Sequence, residues 1–216
     1  MLLSIAAVPG MMSMSVDDSL SELFRTDTEE FHRYEQVSKR FPSSEFDVLV
    51  VIENDELLTP ENLDAIRNVI LDLQLIPGLK GLISMFSVRE VPDETGFARA
   101  LFPNELPTGE AFEALMKRVR ANEIISGKLL SEDGTLALVV LSLDKDKVID
   151  IGLEKTIHEI EETVKAALAP TGLRAQLAGA PVMQLEIRNA VSRDRIIYNG
   201  LGFALGGVIA FIFFGS

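Results

Sequence analysis

The distribution of apolar and polar positions divides the chain into a mixed central region and an apolar C-terminal run. Residues 196–214 read IIYNGLGFALGGVIAFIFF and contain no charged residue. At about 1.5 Å rise per residue, roughly 19 residues form a helix of about 28 Å, which is close to the thickness of a bilayer's hydrocarbon core. The run is apolar on every face, unlike an amphipathic surface helix. The sequence therefore predicts a transmembrane span.

Glycines within this run support the membrane interpretation. Gly202, Gly206 and Gly207 would weaken a helix in water, but glycine is frequent in membrane helices. Gly202 and Gly206 form a small-xxx-small pair, which allows two helix backbones to approach closely in lipid. We take all three glycines as helix-packing candidates. The alternative is a buried core helix of a soluble protein, and the length of the run counts against it.

The N-terminal residues 1–14 are also apolar and uncharged. They are too short to span a bilayer, and they lack the positive region that begins a signal peptide. We interpret residues 1–16 as the end of a membrane helix and the chain as a fragment of a longer protein. The alternative is a disordered or weakly anchoring tail.

Between these two apolar segments, residues 17–180 alternate helix and strand patterns. Phe46–Ile52 indicates a strand buried on both faces. Thr59-Pro60 is typical of a helix N-terminus, with an N-cap residue followed by proline. The further predictions are a helix over 31–41, a strand over 79–86, a helix capped by Thr108, a strand over 135–143, a helix capped by Asp150, a strand over 173–178 and a helix from Pro181.

Two successive βαβ units predict an α+β fold, specifically a ferredoxin-like βαβ-βαβ lobe. A helical insertion at about 87–127 interrupts it. The predicted domains are thus an apolar segment at 1–16, an extramembrane lobe at 17–180 and a final helix at 181–216. Because no helix breaker separates Val182 from the apolar run, we expect one continuous helix that enters the membrane at about residue 196.

The charge and the cysteine content exclude some classes of partner and binding site. The net charge is −13, and all charged residues lie between Asp17 and Arg195. Nucleic acid requires a basic surface, so we expect no nucleic-acid partner. The chain contains no cysteine, which excludes disulfides and thiolate metal sites.

Catalytic signatures are missing from the sequence. His32 and His158 lie off the apolar faces of their predicted helices, so we interpret them as surface residues. Glu53, Asp55 and Glu56 cluster after the first strand without a nucleophile or base, as in a polar loop. We therefore predict no catalytic, cofactor-binding or metal-binding residue, no cofactor and no enzyme activity, and a membrane-tethered enzyme is the last of our hypotheses.

Several stretches together carry a resemblance to a known family. They are Asp17-Asp18 with Leu23-Phe24, FDVLVVIE at 46–53, LKGLISMFS at 79–87, LLSEDGTLALVVLSL at 129–143, and Gly179–Val182 before the last helix. In these stretches the chain resembles the first extramembrane loop of a resistance-nodulation-division (RND) exporter. It is most similar to the MMPL and hopanoid-exporter branch.

The resemblance implies a periplasmic porter lobe, followed by the second membrane helix of a transporter in the bacterial inner membrane. It also implies proton-driven export of hydrophobic or lipid-like substrates by the full-length protein. The implied partners are the lipid bilayer, the remaining membrane helices, a second porter lobe and a hydrophobic or lipid substrate. The alternative function is a single-span, membrane-anchored binding or assembly module without transport activity.

One observation favours the opposite orientation. The lobe side of the span carries three arginines, Arg188, Arg193 and Arg195. The positive-inside rule would place this side of the span in the cytoplasm. The rule is counted over short loops and is weak for long translocated domains. We therefore keep the periplasmic placement as the prediction.

Overall fold

The computed structural model describes residues 28–40, 44–92 and 94–214. One compact unit spans Ser43–Leu185, and the other contains the described residues of Met1–Pro42 and Glu186–Ser216. The predicted apolar segment at 1–16 and the motif at 17–24 lie outside the described residues.

Ten helices and strands are described. In chain order they are α1 (Glu29–Arg40), β1 (Asp47–Glu53), α2 (Pro60–Leu73), β2 (Leu79–Ile83), α3 (Glu110–Ala121), β3 (Leu136–Leu143), α4 (Lys145–Ile151), α5 (Leu153–Leu168), β4 (Arg174–Ala178) and α6 (Ala180–Phe214). Short 3₁₀ turns occupy Ser44–Phe46 and Met85–Ser87.

The four strands form one sheet in the order β2-β3-β1-β4, and every neighbouring pair is antiparallel. Val50 in the middle of β1 pairs with Val139 on one side and Leu177 on the other. Because β3 lies between β1 and β2, helix α2 connects two strands that are not neighbours. The predicted α+β class is confirmed, whereas the ferredoxin-like assignment stays a prediction.

One face of the sheet carries the core. Alternate residues of β1 are fully buried, and the residues between them are half-buried. The prediction that this strand is buried on both faces was therefore wrong. An antiparallel sheet can bury one face against its own helices and leave the other partly open. The core side chains are Val48, Val50 and Ile52 of β1, Val139 and Leu141 of β3, Leu63, Ile66, Val69 and Leu73 of α2, and Ile157, Ile160 and Val164 of α5.

Local signals explain where α2 begins. The Thr59 hydroxyl accepts a hydrogen bond from the Asn62 backbone N–H at 3.3 Å, and Pro60 occupies the first helical position. The hydroxyl satisfies one orphan amide of the helix N-terminus, and proline has no amide hydrogen to satisfy. The prediction from Thr59-Pro60 is confirmed.

Two predicted helix caps were wrong. Asp150 lies inside the short helix α4, which is capped by Asp144 through hydrogen bonds from Asp146 N–H at 3.1 Å and Lys147 N–H at 3.2 Å. Helix α5 begins only after Gly152. Thr108 does not cap α3, because the helix begins at Glu110 with Gly109 as its cap residue.

The last helix is continuous. Helix α6 runs over 35 residues from Ala180 to Phe214, as expected from the absence of a breaker. At about 1.5 Å per residue it is about 52 Å long, so it exceeds the thickness of a bilayer's hydrocarbon core.

Candidate functional site

Within the part of the chain that the structure describes, α6 is the one helix that is long and apolar enough to cross a membrane. Its most apolar 18-residue window has a mean hydropathy of 2.0, and none of that window is buried. Phe203 is 82% exposed and Phe211 is 76% exposed. Aromatic side chains exposed along a whole helix are unfavourable in water and normal in lipid.

The helix-packing candidates lie within this exposed stretch. A Cβ atom added to Gly202, Gly206 or Gly207 would meet no other side chain within 4 Å. Helical periodicity places Gly202 and Gly206 on one face, about 40° apart, whereas Gly207 lies about 100° from Gly206. The pair therefore offers a shallow surface to another helix, and Gly207 lies to its side.

The connection between β4 and α6 is made by a single constrained residue. Gly179 has a φ of +108°, which side chains other than glycine rarely adopt. A Cβ atom at this position would lie 2.4 Å from the carbonyl oxygen of Asp47 in β1. Both observations require glycine, so the backbone of the sheet passes closely under the start of the helix.

The first turns of α6 belong to the core of the Ser43–Leu185 unit. Pro181 and Leu185 are buried, and Val182 packs against the core cluster. From Ile187 onwards the large apolar side chains of the helix are exposed. The same helix therefore begins in the core of the Ser43–Leu185 unit and ends as an exposed apolar segment.

The acidic loop after β1 has structural partners. Glu53 accepts a hydrogen bond from Arg174 Nε at 2.8 Å, between neighbouring strands. Asn54 orders the loop, because its amide donates to the Gly172 carbonyl at 3.0 Å and its Oδ1 accepts from the Glu56 N–H at 2.7 Å. Asp55 is exposed. This arrangement places no acid–base pair in a cleft, and the role of Asn54 was not predicted from the sequence.

The two histidines are both exposed. They lie in different compact units, on α1 and α5. Among the described residues, no group of three or more His, Asp or Glu side chains could hold a metal ion.

One carboxyl group has a shifted pKa. In the turn between Leu130 and β3, the Ser131 hydroxyl donates to Asp133 Oδ1 at 2.5 Å, and the Thr135 backbone N–H and hydroxyl donate at 3.1 and 2.8 Å. These hydrogen bonds, led by that of Ser131, lower the pKa of Asp133 below its ordinary value of 3.8. Gly134 follows with a φ of +77°. The Asp133 carboxylate stabilises this turn.

The second face of the sheet is apolar at its centre. Leu49 and Val51 of β1 lie beside Val140 and Leu138 of β3, and all four side chains are half-buried. They are not among the residues packed against the core cluster. The ends of this face are polar, because Ser142 donates to Asp47 at 2.7 Å at one end and the Glu53–Arg174 pair lies at the other. An apolar centre with a polar rim is typical of an interaction surface.

The fold and the exposed helix together define the class of this molecule: an α+β lobe whose last helix continues as a membrane span. The sequence model of the MMPL family matches residues 22–216, which cover both the lobe and the helix. The chain belongs to the MMPL family, whose members are membrane transporters of the RND type and not enzymes. No curated protein matches the chain.

Proposed function

We propose that this chain supplies the first porter lobe, residues 17–180, and the membrane helix that follows it in an MMPL-type exporter. The full-length protein uses the proton gradient to export hydrophobic or lipid-like molecules. The observation that carries the proposal is the family match, which runs without a break through the lobe and through α6. The direct passage from β4 through Gly179 into α6 supports it, because movement of the sheet would reach the helix through one short connection.

In this proposal the chain does not pump by itself. Residues 196–214 contain no acidic side chain that could carry a proton. The resemblance assigns the proton-relay acids to later membrane helices. This segment contributes a porter surface and a connecting helix. In this proposal it has no enzyme activity of its own.

The apolar second face of the sheet suits contact with the second porter lobe of the full-length transporter. Leu49, Val51, Leu138 and Val140 give that face an apolar centre. A half-buried apolar face on an extramembrane lobe is stabilised when another protein surface covers it. In the assembled exporter, Val140→Glu should therefore abolish transport, whereas Ala166→Glu at an exposed position of helix α5 should leave transport unchanged. Equal transport by both variants would contradict this role for the face.

The orientation of the lobe can be tested directly, because the chain contains no cysteine. Glu161 is exposed on α5. In intact cells, a membrane-impermeant maleimide should label Glu161→Cys but label Ser216→Cys only after the inner membrane is permeabilised. The reverse pattern would place the lobe in the cytoplasm, as the arginines of α6 favour, and would refute the periplasmic assignment.

The proposed function also makes a prediction about the gene. The reading frame should continue into further apolar spans, one of which carries an acidic residue for proton transfer. A single-span assembly module would instead have a stop codon and no such spans nearby, and it would form a stable crosslinked complex with an unrelated soluble partner.

A further inference from the structure

The chain between β2 and β3 contains a segment held in an unusual way. Residues 102–108, here called the strap, follow a short ribbon in which Arg89 pairs with Ala100. The base of the ribbon is closed by a hydrogen bond from the Leu101 N–H to the Val88 carbonyl at 3.0 Å. Helix α3 begins directly after the strap, at Glu110.

The backbone of the strap makes no hydrogen bond to other backbone groups of the described chain. Its hydrogen bonds come from one side chain, that of Arg67 on α2. Arg67 Nη2 donates to the Pro103 carbonyl at 2.9 Å, and Arg67 Nη1 donates to the neighbouring carbonyl of Asn104. Both contacts use the forked guanidinium group, which can bind two carbonyl oxygens at once.

The same guanidinium group also contacts the 3₁₀ turn that precedes the ribbon. Its central carbon lies 5.1 Å from the centre of the Phe86 ring, within the range of a cation–π interaction. The Phe86 ring in turn contacts that of Phe102, with ring centres 4.6 Å apart. The Arg67 side chain is only 20% exposed, and Asp64 lies 3.6 Å from it. One partly buried cation therefore contacts both the 3₁₀ turn before the ribbon and the strap.

We infer that Arg67 is a latch, and that the strap and the ribbon can open from α2 without unfolding of the four-stranded sheet. Local opening is expected where a segment has few backbone hydrogen bonds of its own, and here it must also withdraw the Phe102 ring, which is 4% exposed in the core cluster. The sheet is held by separate ladders between β1, β3 and β4 and by a core on α2 and α5. Loss of Arg67 should therefore raise the population of the open strap and leave the sheet closed. This inference does not depend on the export proposal.

The test uses two single-cysteine reporters in the full chain in detergent micelles. Leu101 is 5% exposed and directly precedes the strap, and Val139 is 1% exposed in the centre of the sheet. Because the chain has no native cysteine, Leu101→Cys, the strap reporter, shows opening of the strap, and Val139→Cys, the sheet reporter, shows opening of the sheet. The rate at which each thiol reacts with a maleimide is measured with Arg67 and with its variants.

With Arg67→Ala, the thiol of the strap reporter should react at least about tenfold faster, because hydrogen bonds from a charged donor are lost. The rate at the sheet reporter should not change. Arg67→Lys is the matched control, since lysine keeps the charge but lacks the fork. With lysine, the strap reporter should react at a rate between those of the arginine and alanine proteins.

Three results would overturn the latch. The first is an equal acceleration at both reporters, which would show that Arg67 stabilises the whole lobe. The second is no acceleration at the strap reporter with Arg67→Ala. The third is a rate at the strap reporter with Arg67→Lys equal to that with arginine. If Leu101→Cys prevents folding, Leu106→Cys reports from within the strap, where Leu106 is half-buried.

Discussion

The connection between the sheet and α6 gives the sharpest stability prediction. Gly179→Ala adds one methyl group where the backbone has a φ of +108° and where Asp47 of β1 passes closely beneath. The added Cβ atom would lie 2.4 Å from the Asp47 carbonyl oxygen. Neither partner is a flexible side chain that could turn away, so β1 or the start of α6 must move.

The expected loss in the free energy of unfolding for Gly179→Ala is the sum of two separate costs. Holding a residue other than glycine in a sparsely populated backbone region costs about 1–3 kcal/mol. Forcing an extra carbon into a closely packed site typically costs about 1–3 kcal/mol more. We therefore expect Gly179→Ala to lower the free energy of unfolding by about 2–6 kcal/mol, the sum of these two costs, out of roughly 5–15 kcal/mol for a typical domain.

Gly81 is the matched control. It also lies in the sheet, in β2, but its φ is not positive and a Cβ atom would meet nothing within 4 Å. Gly81→Ala should not lower the free energy of unfolding and should raise it by about 0.4–1 kcal/mol, because alanine reduces the freedom of the unfolded chain. Both variants are compared with the parent by urea unfolding in detergent micelles, followed by far-ultraviolet circular dichroism.

Equal unfolding midpoints for Gly179→Ala and Gly81→Ala would refute the reasoning. Such a result would mean that the close approach at Asp47 relaxes at little cost. A large loss for Gly179→Ala alone would support glycine as a requirement of the β4–α6 connection.

Three other predictions concern the turn, the span and the buried hydroxyl. The lowered pKa of Asp133 stabilises the fold above pH 3.8, its unfolded value, and this stabilisation is lost as the pH falls through the lower folded pKa. Asp133→Asn should therefore have a lower urea midpoint of unfolding than the parent at neutral pH, and this difference should shrink in acid. A difference that does not depend on pH would contradict the reasoning. Gly202→Leu and Gly206→Leu should weaken helix association in lipid, measured by crosslinking, while Ala204→Leu on the opposite face should not; unchanged assembly in both glycine variants would exclude close packing at the pair. Ser84 is 1% exposed, and its hydroxyl has no hydrogen-bond partner in the described part of the chain, so Ser84→Ala should raise the free energy of unfolding by about 1 kcal/mol in urea titrations. A loss of stability would show that the hydroxyl is paired.

Strong local signals allowed parts of the fold to be predicted. Thr59 and Pro60 fix the start of α2, because an N-cap hydroxyl and a proline act within one turn of the helix. The apolar run of α6 is recognisable because length and hydropathy alone limit what such a segment can be. The φ of Gly134 was predictable because the turn residues are adjacent in sequence.

Competing local signals explain the errors. Asp144 and Asp150 both precede apolar positions that are spaced as in a helix, and the sequence does not show which of them caps a helix. The structure uses Asp144 for the seven-residue helix α4, and Gly152 then separates this helix from α5. Similarly, the strand pattern at Leu79–Phe86 continues past Ile83, but Met85 turns into a 3₁₀ helix and is buried there.

Two features could not be predicted because they depend on long-range contacts: the close approach at Gly179 and the binding of the strap by Arg67. The close approach of Gly179 to Asp47 joins residues far apart in sequence, so a glycine before a helix could only be interpreted as a turn residue. For the strap, Arg67 binds carbonyl groups 36 and 37 residues away. Every residue has a backbone carbonyl, so the acceptor leaves no signature in the sequence. The donor is one arginine among the polar positions of an amphipathic helix, where solvent exposure is the default expectation. A latch built from a side chain and two carbonyl oxygens therefore becomes visible only when the fold has brought α2 and the strap together.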